Sequence, residues 1–117
     1  MILVLSGTEE GKEIVRRLYK KGIGLITTVA TEYGKKIFEQ MGLESICLQG
    51  RLDLDGFTHL IIDKKIDIVI DATHPYAIEV SQNAMDACKS TNVRYLRFER
   101  QEIKITVNPL IHSVGAM

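Results

Sequence analysis

The sequence is poor in cysteine and has no excess of charge. Its 117 residues include two cysteines, Cys47 and Cys88, which lie far apart and outside any C-x-x-C pattern. This spacing argues against a disulfide framework and against a zinc-knuckle site, and the apolar neighbours of both residues predict buried, unreactive thiols. Because 15 basic residues balance 15 acidic ones, no global charge favours nucleic acid or an anionic membrane as a partner.

Long apolar runs are also absent. No stretch approaches the roughly 18 apolar residues that a membrane-spanning helix needs. The opening "MILVLSG" has no positively charged segment, and its apolar part is far too short for a signal peptide. There is no internal repeat, low-complexity segment or long linker. We therefore expect a soluble, cytoplasmic protein, and 117 residues suit one domain.

What the sequence does contain is an alternation of strand-like and helix-like segments. Strands are predicted at "MILVL", "IGLITTVA", "SICLQ", "IDIVI" and "VRYLRF". Helices are predicted over residues 9–21, 31–41 and 57–65, and from Pro75 onward, because proline suits the first position of a helix. Near-continuous apolar strands indicate burial on both faces, and the alternation indicates βαβ units. We predict an α/β fold: an open, doubly wound parallel sheet of about five strands with helices on both faces.

In such a sheet, ligands bind at the carboxyl ends of the strands. The first loop there, "SGTEEG", offers Ser6, Gly7, Thr8 and Gly11. It leads into a helix N-terminus, where backbone N–H groups can hold a phosphate. The loop does not match G-x-G-x-x-G, and Glu9 would repel a phosphate unless it turned away. The alternative is a capped turn in which Ser6 and Glu9 form a capping box.

The loops after the second and third strands bear on which dinucleotide could bind. An acid directly after the second strand would mark a ribose contact typical of NAD sites. Ala30 and Thr31 stand there, and Glu32 comes just beyond. Arg51, after the third strand, could meet the 2′-phosphate of NADP, although it could equally be a solvated loop arginine.

The segment "DATHPYA" exposes several polar groups at the end of the fourth strand. If Pro75 opens the next helix, His74 lies at the helix cap and faces the crevice. The alternative is that Thr73 and His74 only cap the helix. Asp71 ends a buried strand and is expected to orient N–H groups of the loop.

The fifth strand ends in "YLRFER", which places Arg97 and Glu99 on one side. One interpretation is an ion pair between these two residues. The other is that Arg97 or Arg100 receives a carboxylate of a ligand, for which a planar guanidinium is well suited.

Taken together, the motifs resemble a known family. "SGTEEG", "ATEYG", "QGRLD", "DATHPYA", "SQNA" and "YLRFER" occur in this order across residues 1–100, and the series is similar to the precorrin-6A and cobalt-precorrin-6A reductases of cobalamin biosynthesis. The resemblance implies a two-domain enzyme that reduces a double bond of an anionic tetrapyrrole with NADPH or NADH. Residues 1–100 would be its Rossmann-like N-terminal domain, and 101–117 a tail leading toward a second domain absent from this chain.

The resemblance also implies roles for individual residues. His74 is the catalytic candidate, and Ser81 and Asn83 would support the site from the following helix. The cofactor would contact Ser6, Gly7, Thr8, Gly11, Thr31, Arg51 and Thr73, and the substrate would contact Tyr76, Arg97 and Arg100. No metal is implied, and the partners are the tetrapyrrole and either a second copy or the missing domain.

Two other functions stay open. The chain could be a non-catalytic NAD(P)-binding module or a truncated half-enzyme. The other is a hydrolase or transferase that uses His74 with Asp71, but the sequence has no serine or cysteine nucleophile elbow.

Overall fold

The computed structural model describes residues 1–98, which form a five-stranded parallel sheet. All strand pairs are parallel. The strands lie in the spatial order β3-β2-β1-β4-β5. Their bounds are β1 Ile2–Ser6, β2 Leu25–Val29, β3 Cys47–Gln49, β4 Ile68–Ala72 and β5 Arg94–Arg97. The predicted doubly wound sheet is confirmed.

Four α-helices connect the strands. They are α1 Glu9–Lys20, α2 Glu32–Gln40, α3 Leu54–Asp63 and α4 Ile78–Thr91, and a short 3₁₀ turn, Glu44–Ile46, precedes β3. None of the helices within residues 1–98 is long and apolar enough to cross a membrane.

Two separate apolar clusters explain the apolar run Ile2–Leu5 of β1, the central strand. Leu3 and Leu5 of β1 pack with α3 and α4 on one face of the sheet. Val4, between them, packs on the other face with Val15 of α1 and Phe38 of α2. Since successive side chains of a strand point to opposite faces, a strand covered on both sides buries every side chain, and polar ones such as Ser6 and Thr27 occur only where they are hydrogen-bonded. Cys47 and Cys88 are buried free thiols in these clusters, as expected.

The start of α1 differs from the predicted capping box. Thr8, not Ser6, is the N-cap, and its hydroxyl accepts a hydrogen bond from the Gly11 N–H at 3.0 Å. Ser6 still belongs to β1, and its hydroxyl is hydrogen-bonded to Thr27 on the neighbouring strand at 2.7 Å. The capping box was wrong because the strand runs one residue further than the motif implies. Likewise α3 begins at Leu54, three residues before the predicted start, because Asp53 caps it.

The "DATHPYA" segment also departs from its prediction. β4 continues through Ala72, and α4 begins only at Ile78, so Pro75 is not the first residue of the helix and His74 is not its cap. Instead the Ala77 N–H donates to the His74 carbonyl at 2.9 Å and closes a turn. Proline is favoured at the second position of such a turn, where its fixed φ serves as well as at a helix start.

The strand order creates a switch point in the sheet. From β1 the chain builds outward to β2 and β3 on one side, and later to β4 and β5 on the other. The loops after β1 and β4 therefore diverge, and a crevice opens between them. The predictions for Glu99, Arg100 and the tail 101–117, including the domain boundary at residue 100, fall outside the described residues.

Candidate functional site

A cleft of about 990 Å³ lies at the carboxyl edge of the sheet. Its volume is at the upper end of the range typical of ligand sites. It is lined by the loops after β1, β2, β3 and β4 and by the start of α4. Of the predicted site residues, the lining includes Ser6, Gly7, Thr8, Thr31, Arg51, Thr73, His74 and Tyr76. Gly11 and Arg97 lie outside the lining, and Arg100 lies outside the described residues.

Gly7 leaves the floor of the cleft open. Its φ is not positive, so the backbone there does not require glycine. A Cβ added at Gly7 would meet only the Thr73 Cα, at 4.0 Å. The fold therefore tolerates a side chain at this position, whereas a ligand approaching the α1 N-terminus would not.

Thr8 ties the two sides of the switch point together. Besides capping α1, its hydroxyl donates to the Ala72 carbonyl at the end of β4, at 2.8 Å. Gly11 packs directly against β1, and a Cβ there would lie 3.0 Å from the Cα of Ser6. Gly11 therefore lets α1 approach β1 closely, which positions the helix N-terminus without lining the cleft.

Lys12 is a cleft residue that the sequence analysis missed. It lies in the first turn of α1, lines the cleft and is 27% exposed. Its ammonium pairs with the Glu9 carboxylate at 2.8 Å. The charge of Glu9 at the α1 N-terminus is thus offset by a cation. The signal available in the sequence was the position of Lys12 in the first turn after the loop.

His74 and Tyr76 form the opposite lip. The Tyr76 N–H donates to His74 Nδ1 at 3.3 Å, and the ring centroids lie 5.0 Å apart. Both side chains are exposed, Tyr76 to 83%. Tyr33, at the start of α2, is another exposed aromatic ring of the lining. The cleft therefore carries aromatic surface at two separate points.

Beneath this lip lies a buried polar network centred on Asp71, which is fully buried. One carboxylate oxygen accepts from the N–H and hydroxyl of Thr73, at 3.0 and 2.7 Å, and from Arg97 at 3.0 Å. The other accepts from the hydroxyls of Ser81 and Tyr95, at 2.6 and 2.5 Å. We call Asp71, Thr73, Ser81, Tyr95 and Arg97 the Asp71 network. It joins the ends of β4 and β5 to the first turns of α4.

The network fixes the charge states of its members. Burial alone would raise the pKa of Asp71, but the hydrogen bonds from Ser81, Tyr95 and Thr73 outweigh it and hold the pKa below its ordinary value. Burial and the bond to Asp71 raise the pKa of Tyr95, which therefore remains a proton donor. Burial, with the negative charge of Asp71, also raises the pKa of the nearby Cys88 thiol to about 11.

Arg97 belongs to this network rather than to the cleft surface. Its side chain is 21% exposed, and besides Asp71 it donates to the Thr73 carbonyl at 3.0 Å. Asp71 and Arg97 are direct partners in the parallel register of β4 and β5. The sequence analysis anticipated that Asp71 would orient loop N–H groups, which the Thr73 contact confirms. It missed Tyr95, whose place two residues before Arg97 on the same strand face was the available signal.

A family model described as precorrin-6x reductase CbiJ/CobK matches residues 1–117. The chain is 39% identical over 103 residues to a cobalt-precorrin-6A reductase of Methanothermobacter thermautotrophicus, covering 87% of this chain and 34% of that protein. It is 38% identical over 112 residues to the cobalt-precorrin-6A reductase of Methanocaldococcus jannaschii, covering 95% of this chain and 44% of that protein. The chain thus spans less than half the length of these curated relatives.

A solved structure, CobK precorrin-6A reductase, superposes with a TM-score of 0.73 at 27% identity. The match covers 91% of this chain and 40% of that one. The sheet and its helices are therefore shared with that structure.

Proposed function

Because the chain belongs to the precorrin-6x reductase family, we propose that it acts in an oxidoreductase of cobalamin biosynthesis. The reaction is the reduction of precorrin-6A or cobalt-precorrin-6A to the 6B form. NADPH or NADH supplies the hydride when it is bound. The residues of this chain bind and orient the reactants and deliver a proton.

The observation that carries this proposal is the open floor at Gly7. It lies at the switch point, beside the N-terminus of the 12-residue helix α1. Backbone N–H groups at such a terminus suit an anion, and no side chain fills the space before them. Ser6, Gly7 and Thr8 would hold the cofactor phosphates here, with Gly11 setting the helix position and Lys12 adding a positive charge.

The cleft lining after β2 and β3 favours NADPH over NADH. Arg51 and Thr31 line the cleft, whereas Glu32, the acid available for a ribose contact, does not. An exposed guanidinium suits a phosphate dianion, and no lining carboxylate stands directly after β2 to repel it. Arg51→Ala should therefore weaken NADPH binding more than NADH binding.

The His74 lip would hold the reacting end. Thr73 and His74 lie on the other side of the switch point from Arg51, and Tyr76 offers an exposed ring to a flat macrocycle. His74 would donate the proton that accompanies hydride transfer. Arg97 and Arg100 were predicted to receive carboxylates of the anionic tetrapyrrole; for both residues this stays a prediction.

The direct test is binding of NADPH and NADH to the 117-residue chain, followed by fluorescence. Gly7→Val should abolish binding while the circular dichroism spectrum is unchanged. Gly24→Val is a matched control, because Gly24 precedes β2, away from the cleft lining, and does not have a positive φ. Undiminished affinity of Gly7→Val would reject the phosphate site.

A second candidate is a module that binds NAD(P) without turnover, because the open space at Gly7 beside the α1 N-terminus suits a phosphate and by itself requires no catalytic residue. Adding the tetrapyrrole to the chain loaded with NADPH discriminates the two. Cofactor oxidation indicates a reductase, and binding without oxidation indicates the module.

A further inference from the structure

The loop of residues 73–77, which carries His74, is held differently from the other loops at this edge. The N-cap of α4 is Ala77, which makes no side-chain capping hydrogen bond. Within the loop Thr73 is buried, whereas His74, Pro75 and Tyr76 are exposed. The direction in which His74 leaves the sheet therefore depends on how Thr73 is fixed.

Arg97 contacts Thr73 from the end of the neighbouring strand. Its Nη2 donates to the Thr73 carbonyl oxygen at 3.0 Å, and its Nη1 donates to the Thr73 hydroxyl at 3.1 Å. The same Nη1 donates to the Asp71 carboxylate at 3.0 Å. Because both terminal nitrogens of the planar guanidinium are hydrogen-bonded, the group cannot rotate. The Thr73 carbonyl, which precedes His74, therefore has a fixed direction.

We propose that Arg97 is a positioning residue: anchored on Asp71, it fixes the Thr73 carbonyl and so places His74 over the cleft. Its consequence for turnover rests on the proposed function, but the placement of the loop does not. The role is distinct from binding a substrate carboxylate, because it requires Arg97 to act from beneath the cleft lining.

Two substitutions separate positioning from simple stabilisation. Arg97→Lys retains a cation that can pair with Asp71, but a single ammonium cannot reproduce the planar fork. Arg97→Met retains the apolar stem and removes the charge. Arg94→Lys is the matched control, since Arg94 is an exposed residue of the same strand.

The readout is amide hydrogen exchange and NMR of the 117-residue chain without ligand. The Ala77 N–H, which donates to the His74 carbonyl, reports on the loop, and the Val69 and Ile70 N–H groups report on β4. Arg97→Lys should speed exchange at Ala77 by about tenfold and shift the His74 ring signals, with β4 unchanged. Arg97→Met should speed both sets, and Arg94→Lys neither.

Two results would overturn the proposal. If Arg97→Lys leaves Ala77 exchange and the His74 signals as in the wild type, the fork does not place the loop. If Arg97→Lys speeds exchange equally at Ala77 and in β4, Arg97 contributes only general stability. Failure of the wild type to bind NADPH would refute the proposed function alone, because these measurements need no cofactor.

Discussion

The loops on the two sides of the cleft are held by different kinds of contact. On the side of β1, β2 and β3, each following helix begins with a capping side chain and a glycine three residues later: Thr8 and Gly11, Thr31 and Gly34, Asp53 and Gly56. On the side of β4 and β5, α4 has no capping side chain, and the Asp71 network holds the preceding loop instead.

The difference shows two ways to hold a loop at the carboxyl edge of the sheet, where the cleft lies. In a cap followed by glycine, the capping contact is local, and Gly11 and Gly34 let their helix starts lie close to Ser6 and Val29 of the preceding strands. That leaves backbone N–H groups facing the cleft, which suits an anion such as a phosphate. The Asp71 network spans 26 residues of sequence between Asp71 and Arg97. It leaves the side chains of His74 and Tyr76 exposed in the cleft lining.

Among substitutions that test this difference, we expect Asp71→Ala to lower the free energy of unfolding the most. Removing the carboxylate breaks the ion pair with the mostly buried Arg97 and the hydrogen bonds from Tyr95 and Ser81, so we expect a loss of about 3 kcal/mol in the free energy of unfolding. Urea denaturation at neutral pH measures it. The control is Asp63→Ala, an exposed residue, which should change stability by less than about 0.5 kcal/mol. A similar small change for Asp71→Ala would mean that the network does not hold this side together.

The next effect concerns the glycines on the other side. Gly11→Val places a Cβ 3.0 Å from the Ser6 Cα, and we expect a loss of about 2 kcal/mol from overpacking. Gly7→Val points into open space, so its stability should stay within about 0.5 kcal/mol of the wild type. Thermal and urea unfolding of both variants check this. Equal losses at the two positions would mean that Gly7 is also required by the fold.

A smaller effect is expected from the cap itself. Thr8→Ala removes the acceptor for the Gly11 N–H and the bond to the Ala72 carbonyl, for a loss of about 1 kcal/mol. Thr8→Ser keeps the hydroxyl and should recover most of this loss in the same urea assay. If serine does not restore stability, the methyl group of Thr8 rather than its hydrogen bonds is responsible.

Sequence reasoning reached the sheet and the loops of the cleft because these follow from local patterns. Apolar strands such as "MILVL" and alternation with helices determine the architecture, and the carboxyl edge then gathers residues as distant as Gly7, Arg51 and His74. It misplaced the cap at Ser6 and the start of α4 at Pro75, because more than one local structure satisfies the same residue types. Serine and threonine both cap helices, and proline suits both turns and helix starts.

What sequence reasoning missed depends on contacts between strands that are distant in sequence. The pairing of Arg97 with Asp71 follows from the register of β4 and β5, which the sequence does not state. Helical periodicity did not identify Lys12, because it describes which face of a helix is buried, not what lies beyond its end. Gly7 was predicted to contact the cofactor from its place in the loop, but the sequence did not show that a side chain there would meet open space.

The smallest expected difference is in acid sensitivity. The pKa of Asp71 lies below its unfolded value of 3.8, as the net of burial, which raises it, and hydrogen bonds, which lower it. The carboxylate therefore contributes stability at pH values above about 4 that is lost as the pH falls through its folded pKa. Asp71→Asn should flatten the fall in urea midpoint between pH 5 and pH 2, whereas Asp63→Asn should keep the wild-type slope. If the urea midpoint of Asp71→Asn falls with pH as steeply as that of the wild type, the acid sensitivity comes from other carboxylates. The charge of Asp71 would then not contribute to stability.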